Sequence, residues 1–352
     1  MKVNEIKNYT IASQATIKDS LRKINDFSDG QALVLFVINN KNQVVGSLTD
    51  GDIRRGLLKD FGTSDTVDQV MNKKFHFLKS NYTLDEVKKL KEEDLKIVPI
   101  IDDKNHIVSL VNFKHLRSIL PIDAIIMAGG KGTRLHPYTK DIPKPLLELN
   151  KKPIIAHNID RLISYGVKNF YISVNHMKEQ IIGFLDKYYK EHDISIKYII
   201  ENQPLGTMGA VGLVKDYYND DLLVINADIL TNIDFEDFYT TYKDHNDDMS
   251  IAAFNVRIDI PYAVLQTTDK VINSFIEKPT YIYHSNAGIY LFKKKFINLI
   301  IKDKQYDAID LMNSLINDGK KVTHFPIRGY WLDIGNLENY KKAQDDIRYV
   351  KF

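Results

Sequence analysis

One segment of the chain combines closely spaced glycines with two cations, residue types that together suit the binding of phosphate groups. Three glycines fall within four residues directly after an apolar run, and they are Gly129, Gly130 and Gly132. Glycines permit positive φ and close backbone approach, so amide N–H groups can converge on an anion. Arg134 adds a forked cation matched to phosphate oxygens, and Lys144 adds a second cation between two prolines. This pattern predicts a buried strand that opens into a phosphate-binding loop.

The spacing within this loop argues against two common nucleotide-binding motifs. Neither G-x-x-x-x-G-K-[ST] nor G-x-G-x-x-G fits residues 128–135, so a P-loop NTPase and a dinucleotide-binding enzyme are both disfavoured. Thr133 can cap the loop. Taken by itself, however, the loop is also compatible with a glycine-rich turn that has solvated cations. The loop alone therefore indicates phosphate chemistry without deciding the ligand.

The residues that follow the loop predict the elements that hold it in place. They alternate between helical and strand-like apolar spacing, with helices over 153–165, 177–189 and about 207–217, and strands over 170–174, 195–200 and 221–228. Such alternation predicts βαβ units, hence an α/β domain with a mainly parallel sheet and helices on both faces. Ligands of such sheets bind at the carboxyl ends of the strands, where the glycine loop and Asp228 both fall.

The first 120 residues carry an internal repeat. Each copy has the pattern of a short helix, an apolar strand, a turn, a second strand and a helix. The first copy begins at Thr16 and the second at Thr83. Repetition of this kind predicts a paired α+β module. Pro121 is expected to stop the last helix of the second copy, which gives predicted domains of 1–120 and 121–352.

Composition narrows the classes of partner and compartment. The 352 residues carry 48 Lys and Arg against 46 Asp and Glu, a net charge of +2, so no nucleic-acid partner is indicated. The absence of cysteine excludes disulfides and thiolate metal sites and fits a reducing compartment. No apolar run reaches about 18 residues, and the N-terminus lacks the apolar core of a signal peptide. We therefore expect a soluble cytoplasmic protein without membrane association.

The glycine loop belongs to a long compound motif. Gly-Gly-Lys-Gly-Thr-Arg-Leu from residue 129, followed by Pro-Lys-Pro-Leu from residue 143, resembles the signature of the sugar-1-phosphate nucleotidyltransferases, and the likeness covers roughly residues 122 to 350. The resemblance implies a Rossmann-like fold of the GT-A type and nucleotidyl transfer from a nucleoside triphosphate to a sugar 1-phosphate. It also implies catalytic roles for Arg134 and Lys144. The loop residues implied to bind the nucleotide are Ala128, Gly129, Gly130, Gly132 and Thr133.

Two further segments resemble the nucleobase pocket and the metal site of this family. The segment Glu-Asn-Gln-Pro-Leu-Gly-Thr-Met-Gly-Ala from residue 201 is similar to the one that lines the base, which implies contacts from Glu201 and Gly206. Glu201 has the acceptor oxygens that the N1–H and amine of guanine need. Asp228 and Asp333 match the aspartates that bind catalytic Mg²⁺ in the family, and Mg²⁺ suits one or two carboxylates completed by substrate phosphates. Alone, these segments also fit an ordinary turn and a helix cap.

Two segments farther along resemble the sugar side of the site. They are Phe-Ile-Glu-Lys-Pro from residue 275 and Ser-Asn-Ala-Gly-Ile-Tyr from residue 285. By this resemblance Glu277 would bond sugar hydroxyls and Lys278 the sugar phosphate. Asn286 and Gly288 would contact the sugar ring. Without the family, these segments are a strand end and a strand that contains a small residue.

The N-terminal repeat resembles a tandem pair of CBS (cystathionine β-synthase) domains, modules that often bind purine nucleotides. Thr49 and Asp52 match the phosphate- and ribose-contacting positions of that family, which implies a purine nucleotide effector in the first copy. Asn112 and His115 occupy the same places in the second copy and depart from the pattern. The alternative is a module that serves only packing or dimer formation. A homo-oligomer is expected.

The fusion of a CBS pair to a transferase of this type is similar to guanylyltransferases that activate glucosamine 1-phosphate for legionaminic acid in bacterial surface glycans. GTP and glucosamine 1-phosphate are therefore the implied substrates. Mannose, heptose or glucose 1-phosphate with GTP, dTTP or UTP are alternatives. A hypothesis from another class is a nucleotide-sensing binding protein that keeps the transferase fold as an inactive scaffold. The presence of Arg134, Lys144 and both aspartates argues against that hypothesis.

Overall fold

The structure, a computed structural model, describes residues 6–27, 33–114, 116–301 and 304–350. It divides into two compact units, Met1–Ile119 and Leu120–Phe352, which we call the N-terminal and C-terminal units. The division lies one residue from the boundary expected from the sequence.

In the described part of the N-terminal unit, the strands form two three-stranded sheets of the same design. The first contains β1 (Thr10–Ala12), β2 (Val34–Ile38) and β3 (Val44–Thr49), and the second contains β4 (Leu78–Lys79), β5 (Ile97–Ile101) and β6 (Ile107–Asn112). In each sheet the first two strands are parallel and the last two antiparallel. The repeat in the sequence is therefore a repeat in the structure.

Three helices of the N-terminal unit begin in the same way. They are α1 (Ile17–Asn25), α2 (Asp50–Leu57) and α3 (Leu84–Glu92). Each follows a threonine whose hydroxyl accepts from the backbone N–H three residues on, while the acidic side chain there accepts from the threonine N–H. This reciprocal capping box satisfies two helix-end donors. The threonines at 16, 49 and 83 thus fix where the helices start.

The sequence predicted another helix after β6, stopped by Pro121, and this prediction is wrong for the described residues. Residues 113–114 form a turn and 116–120 are irregular, while His115 lies outside the described residues. Asn112 occupies the place that Thr49 has in the first copy, and its Oδ1 accepts from Lys114 N at 3.0 Å. That bond closes a short turn around asparagine. Too few residues remain before Pro121 for a stable helix.

A seven-stranded sheet forms the centre of the C-terminal unit. Its strands are β7 (Ile122–Met127), β10 (Asn169–Val174), β11 (Ser195–Ile200), β12 (Asp221–Asn226), β14 (Met249–Asp259), β17 (Thr280–Lys293) and β18 (Val322–Pro326). The spatial order is β11-β10-β7-β12-β17-β14-β18, and only β17 runs antiparallel to its neighbours. The predicted α/β class with a mainly parallel sheet is confirmed.

Three pairs of short strands accompany this sheet. They are β8 (Glu148–Leu149) with β9 (Lys152–Pro153), β13 (Ile229–Thr231) with β19 (Trp331–Asp333), and β15 (Val264–Thr268) with β16 (Val271–Ile276). The pair of β13 and β19 matters for the site because it joins segments about a hundred residues apart in sequence.

The helices of the C-terminal unit agree with two predictions and contradict a third. They are α4 (Ile154–Ser164), α5 (Lys178–Tyr188), α6 (Gly206–Gly209), α7 (Phe235–Asp244), α8 (Ala308–Asn317) and α9 (Leu337–Asp346). The helices predicted over 153–165 and 177–189 are confirmed. The helix predicted over 207–217 is wrong, because only α6 and a 3-10 turn, Val211–Leu213, form there. Gly209 and Gly212 disfavour a continuous helix, and the N–H groups of Met208 and Gly209 both donate to Tyr306 O.

None of the helices in the described ranges combines the length and the hydropathy that a membrane crossing needs.

Candidate active site

The glycine loop leaves the sheet at the end of β7, where the strand order reverses direction. The chain proceeds from β7 outward through β10 and β11, then returns to place β12 on the other side of β7. Ala128 N donates to Ser173 O at 2.9 Å, and Ala227 N donates to Met127 O at 3.1 Å. These hydrogen bonds hold the carboxyl ends of β7, β10 and β12 side by side at one edge of the sheet. In open α/β sheets this reversal point is where ligands bind.

Gly132 shapes the loop because its backbone is left-handed, with φ +65°. A Cβ atom here would lie 2.9 Å from the Cβ of Lys144. Any side chain would therefore be strained by both conformation and contact. The 3-10 turn Thr133–Leu135 follows directly, with Gly132 in the capping position and no side-chain cap. The predicted capping by Thr133 is therefore wrong.

A cavity of about 280 Å³ lies against this loop. Seven of the residues predicted for the site line it, namely Ala128, Gly130, Gly132, Thr133, Arg134, Lys144 and Asp228. Gly130 has open space where a Cβ would be, so its backbone is accessible from the cavity. The structure thus brings the glycine loop, both cations and one aspartate to the same space.

Four charged side chains meet at the floor of the site. Lys144 is buried, at 9% exposed, and its Nζ forms an ion pair with Asp228 Oδ2. Burial raises the pKa of Asp333 above its ordinary value, and the neighbouring Asp228 carboxylate raises it further. Lys144 and Arg134 oppose that rise. Arg134, Lys144 and Asp228 line the same cavity, and Asp333 Oδ2 would lie 3.1 Å from a Cβ atom on Gly335, which also lines it.

Backbone pairing explains why Asp228 and Asp333 come together. Ile229 lies opposite Asp333 in the antiparallel pair of β13 and β19. Ile334 N also donates to Asp228 O at 2.9 Å. Trp331, at the start of β19, donates its indole N–H to Ala287 O at 2.9 Å and stacks on Phe254. Asp333 is therefore fixed by the pairing of β19 with β13 and by the contacts that Trp331 makes with Ala287 and Phe254.

The two aspartates have the donor chemistry of a magnesium site. Carboxylate oxygens are hard ligands, and, besides burial, the neighbouring Asp228 carboxylate raises the pKa of Asp333, so a divalent cation would relieve their repulsion. Among the described residues, no cluster of three or more His, Asp or Glu side chains suited to a metal is present. Any cation held here would complete its shell with water and phosphate oxygens, as Mg²⁺ does with nucleotides.

Glu201 lies beneath the glycine loop and is held by several hydrogen bonds. It is buried, at 8% exposed, and its Oε1 accepts from the Ser173 hydroxyl and sits under Gly129. Its Oε2 accepts from Leu205 N at 3.0 Å, and Asn175 Nδ2 donates to the Glu201 carbonyl at 2.8 Å. Glu201 therefore links the glycine loop, the end of β10 and the Leu205 turn. Its predicted contact with a base stays a prediction.

Gly206 is fixed against Asp307, which is a hundred residues away in sequence. Its φ is +75°, and a Cβ there would lie 2.4 Å from Asp307 Oδ1 and 2.9 Å from Tyr306 O. Asp307 Oδ1 accepts from Thr207 N at 2.9 Å, and Tyr306 N donates to Leu205 O at 2.9 Å. The segment before α8 therefore clamps the turn that was predicted to face the base.

Replacing Gly206 with alanine is expected to raise KM for the nucleotide about tenfold and to destabilise the fold by about 1–3 kcal/mol, because the new methyl is strained and overpacked. Thermal melting and initial rates would measure both. Gly183 in α5 is the matched control, since a Cβ there meets nothing within 4 Å. Gly183→Ala should leave KM unchanged and stabilise the helix by up to about 1 kcal/mol. Equal KM values for the two variants would contradict a role of the contact between Gly206 and Asp307 in nucleotide binding.

Asn286 and Gly288 lie beside the strand that leads to Asp228. Gly288 has φ +72°, and its backbone packs against Asn226 Nδ2, which would be 2.7 Å from a Cβ. Asn286 Oδ1 accepts from Gly288 N at 2.8 Å, and its Nδ2 donates to Tyr290 OH at 3.0 Å. The structure therefore brings these two residues to the same strand edge as the aspartate, and their predicted sugar contact stays a prediction.

Glu277 and Lys278 are the two predicted residues that the structure does not bring to this edge. They lie exposed in the bend between β16 and β17, and Lys278 has φ +44°. Because β17 runs unbroken from Thr280, they are separated from Asn286 by about 25 Å of extended chain at about 3.3 Å per residue. The predicted contacts, of Glu277 with sugar hydroxyls and of Lys278 with the sugar phosphate, stay predictions.

Comparison with known proteins places this geometry in a family. Residues 123–349 match the family model described as nucleotidyl transferase. The chain belongs to the nucleotidyl transferase family. Residues 67–122, the second half of the N-terminal unit, match the model of the CBS domain. The family resemblance read from the glycine loop is confirmed, and the resemblance to CBS domains is confirmed for residues 67–122.

Curated relatives of the nucleotidyl transferase unit include two yeast enzymes. The mannose-1-phosphate guanyltransferase of Schizosaccharomyces pombe is 32% identical over 225 residues, which is 62% of this chain and 62% of the relative. That of Saccharomyces cerevisiae is 31% identical over 224 residues, 61% of this chain and 62% of the relative. The chain thus spans about 62% of the length of these relatives.

Solved structures with the same fold include two bacterial proteins. A putative glucose-1-phosphate thymidylyltransferase from Bacillus anthracis has a TM-score of 0.53 at 26% identity, covering 66% of this chain and 97% of that one. HddC from Yersinia pseudotuberculosis has a TM-score of 0.50 at 30% identity, covering 64% and 99%. HddC has also been solved in complex with GMP-PN. Nearly the whole of each structure is matched.

The predicted ligand residues of the CBS repeat, Thr49 and Asp52, lie in a cleft of the N-terminal unit. The cleft has a volume of about 570 Å³ and is also lined by Arg55, Phe75 and His76. Thr49 and Asp52 form the capping box of α2 with each other, and Asp52 Oδ1 pairs with Arg55 at 2.6 Å. Both residues therefore have a structural role as well as access to the cleft.

Several residues that shape the transferase site were not predicted. Ser173, Asn175, Asn226 and Asp307 hold Glu201, Gly288 and the Leu205 turn in place. Ser173 could have been identified from the sequence, since it is a polar residue inside the apolar strand β10. Asn175 could also have been identified, because it directly follows a strand end. Nothing in the sequence around Asp307 indicates its role, because its partners are remote in sequence.

Proposed function

We propose that this chain transfers a guanylyl group from GTP to a sugar 1-phosphate with Mg²⁺ as the cofactor, releasing pyrophosphate. The observation that carries the proposal is the meeting of the glycine loop, Lys144 and the two aspartates at one strand edge. That combination suits a triphosphate, because it pairs backbone donors and cations with two carboxylates able to hold a metal.

The reaction needs no dedicated nucleophile from the protein. A sugar 1-phosphate is already an anion at neutral pH, and one of its oxygens attacks the α-phosphorus of the triphosphate. A bond forms between the attacking oxygen and the α-phosphorus, while the bond from the α-phosphorus to the oxygen that bridges to the β-phosphorus breaks. Pyrophosphate leaves with that bridging oxygen. The protein must align the two anions and neutralise their charge. Arg134 and the loop amides are proposed to hold the triphosphate, and Lys144 to face the α-phosphate.

Asp228 and Asp333 are proposed to hold the Mg²⁺ ion. When bound, the ion would neutralise charge on the phosphate oxygens. Lys144 forms an ion pair with Asp228, so the cation and the metal would both balance the charge of these carboxylates.

The choice of GTP is supported by the relatives. Both yeast relatives are named as guanyltransferases, and HddC was solved with GMP-PN. For the sugar, we propose glucosamine 1-phosphate, destined for legionaminic acid, on the basis of the fusion to a CBS pair. Mannose 1-phosphate is the alternative that the names of the yeast relatives favour, and heptose and glucose 1-phosphates follow.

Pyrophosphate release tests this proposal directly. Four nucleoside triphosphates would each be paired with glucosamine, mannose, heptose, glucose and N-acetylglucosamine 1-phosphates in the presence of Mg²⁺. A maximum of kcat/KM at GTP with glucosamine 1-phosphate is the expected result. A maximum of kcat/KM at another pair would support nucleotidyl transfer but with substrates other than those proposed. Absence of pyrophosphate release from every pair would contradict the proposed enzymatic activity. It would favour the hypothesis of a nucleotide-sensing binding protein with an inactive transferase scaffold.

The cleft that contains Thr49 and Asp52 is proposed to bind a purine nucleotide that modulates the enzyme. Its volume of about 570 Å³ and its aromatic and charged lining support this. We expect an adenine or guanine nucleotide to change the rate at fixed substrate concentrations, and Phe75→Ala to weaken that response. Rates that are insensitive to all these nucleotides would leave the module with a packing role only.

A further inference from the structure

A second cavity of the C-terminal unit lies at the opposite end of β12 from the glycine loop. Its volume is about 750 Å³, which falls inside the range of about 300–1,000 Å³ typical of small-molecule sites. Asp221, at the start of β12, lies in its wall, whereas Asp228, beyond the end of β12, lines the glycine-loop cavity. The strand separates the two cavities by about 17 Å at about 3.3 Å per residue. Among the described residues, they have no lining residue in common.

Five lysines line this second cavity, which we call the lysine cavity. One follows the 3-10 turn Val211–Leu213, one lies on α7, and three lie where β17 passes into the next 3-10 turn. They are Lys215, Lys243, Lys293, Lys294 and Lys295. Lys293 also lies opposite Asp221 in the pairing of β17 with β12. Ammonium groups that converge in this way repel one another unless anions lie between them.

One carboxylate in the wall of the lysine cavity is buried and already bonded. Asp221 accepts from the hydroxyls of Tyr239 and Tyr242, each at 2.9 Å, and from Lys243 Nζ at 2.8 Å. Its side chain is 7% exposed. These three donors, one of them a cation, occupy both carboxylate oxygens, so Asp221 does not offer the cavity a site for a metal cation.

The other four lysines of the wall share two carboxylates. Asp248 Oδ1 lies 3.0 Å from Lys293 Nζ and 3.6 Å from Lys295 Nζ. Lys294 pairs with Asp220 at 2.9 Å, but the Asp220 side chain is 94% exposed, so water weakens this pair. The fourth lysine has no hydrogen-bond or ion-pair partner among the residues that the structure describes. The lysine cavity therefore has an excess of positive charge, and an anion is its complementary ligand.

The wall also contains apolar side chains, which narrow the class of anion. Tyr217 and Ile300 are 6% and 4% exposed, and Val214 and Ile297 are partly buried. Lysine binds phosphate as a point charge, and one phosphate group carries up to two negative charges, enough for two ammonium groups. A bare inorganic ion would leave the apolar part of the wall without contacts. The cavity therefore suits a phosphate group attached to a carbon body.

We propose that the lysine cavity is a second ligand site, which binds a small organic phosphate. The lysines contact the phosphate, and the apolar side chains contact the carbon body, which is a sugar ring or a nucleoside. The proposal does not rest on the proposed enzymatic reaction, because it uses none of the residues that line the glycine-loop cavity.

Labelling of the full chain with pyridoxal 5′-phosphate would locate the site. Its aldehyde forms an imine with a lysine beside bound phosphate, borohydride reduces the imine to a stable amine, and mass spectrometry of peptides identifies the lysine. Glucose 1-phosphate or GMP, in excess over its Kd, is expected to lower labelling in the lysine cavity about tenfold. Lys187, exposed on α5, is the control and should be labelled equally with and without ligand. Unprotected cavity lysines, or protection by inorganic phosphate that neither organic ligand exceeds, would overturn the proposal.

Equilibrium dialysis with radiolabelled glucose 1-phosphate and, separately, radiolabelled GMP provides a second test. Lys215→Gln combined with Lys294→Gln removes two charges from the wall and leaves the buried pair of Lys243 and Asp221 intact. For the ligand that fits, wild type should bind one more molecule per chain than this variant, whether or not the glycine-loop cavity also binds it. Lys187→Gln with Lys190→Gln makes the same change of charge at exposed positions outside the cavity and should bind as wild type does.

Thermal melting would establish that both double variants are folded. The ligand that shows the additional site identifies the carbon body, a sugar ring for glucose 1-phosphate and a nucleoside for GMP. Equal binding of both ligands by wild type and by the folded cavity variant would overturn the proposal. That outcome would leave the proposed enzymatic reaction untouched, because the glycine-loop cavity is unchanged in this variant.

Discussion

Replacing Asp228 with asparagine is expected to lower kcat by about 10²–10³-fold, the usual loss when one preorganised charge-stabilising group is removed. Asp228 pairs with Lys144 and adjoins Asp333, so its carboxylate is central to the charge balance of the site. The fold should survive, because the Asp333 carboxylate remains close enough to act as a counter-ion of Lys144. Initial rates of pyrophosphate release at saturating substrates, together with thermal melting, would measure both effects.

Asp193→Asn is the matched control for this variant. Asp193 forms an ion pair with Lys168 at 3.1 Å, and both side chains are about half exposed. Exposed pairs contribute little, so this change should leave kcat within about twofold of wild type. Asp333→Asn should resemble Asp228→Asn, and the double variant should lose little more than either single one, because groups that act as a unit are not additive. A folded, fully active Asp228→Asn variant would refute the proposed role.

Lys144→Met is expected to lower kcat/KM by about 10²-fold or more. Methionine keeps much of the length of the side chain, so the packing of the stem against Gly132 is retained while the charge is lost. Two adjoining carboxylates would then lack their nearest cation, and the triphosphate would lose a positive charge at the loop. The split between kcat and KM, measured for both substrates, would show whether Lys144 acts mainly in binding or in the reaction.

Lys152→Met is the control for the loss of a paired lysine in the same unit. Lys152 pairs with Asp160, and its side chain is 27% exposed, so it is also partly buried. This variant should keep wild-type kcat/KM. Lys144→Arg should recover only part of the activity, because guanidinium keeps the charge but not the compact geometry of an ammonium group. An unchanged kcat/KM in Lys144→Met would show that the cation is only a structural partner of Asp228.

The sheet and the loop could be predicted because their signals are local. Apolar runs at 124–127 and 222–225 identify the buried parallel strands β7 and β12, and the residues after them must emerge at the same edge. Glycine spacing then predicted the loop at Gly132, where the left-handed backbone is found. The two copies were expected to begin at Thr16 and Thr83, and each of these threonines has an acidic residue three positions on, which is the pattern of a capping box.

The remaining features depend on contacts that are distant in sequence. The helix expected over 207–217 is interrupted because Tyr306 accepts hydrogen bonds from Met208 and Gly209. Asp307 reaches Thr207 across a hundred residues. The unbroken length of β17, which separates Lys278 from Asn286, follows from its pairing with β14 over ten residue pairs. No spacing rule within one segment encodes these partners.

Transfer of label from GTP that carries a radioactive α-phosphate is the most direct test of the central claim. The proposed reaction predicts that the label passes into a nucleoside diphosphate sugar, with one pyrophosphate released for each product. It also predicts that label leaves GTP only when a sugar 1-phosphate is present. Label recovered as free GMP or GDP, with or without the sugar phosphate, would contradict nucleotidyl transfer at this site.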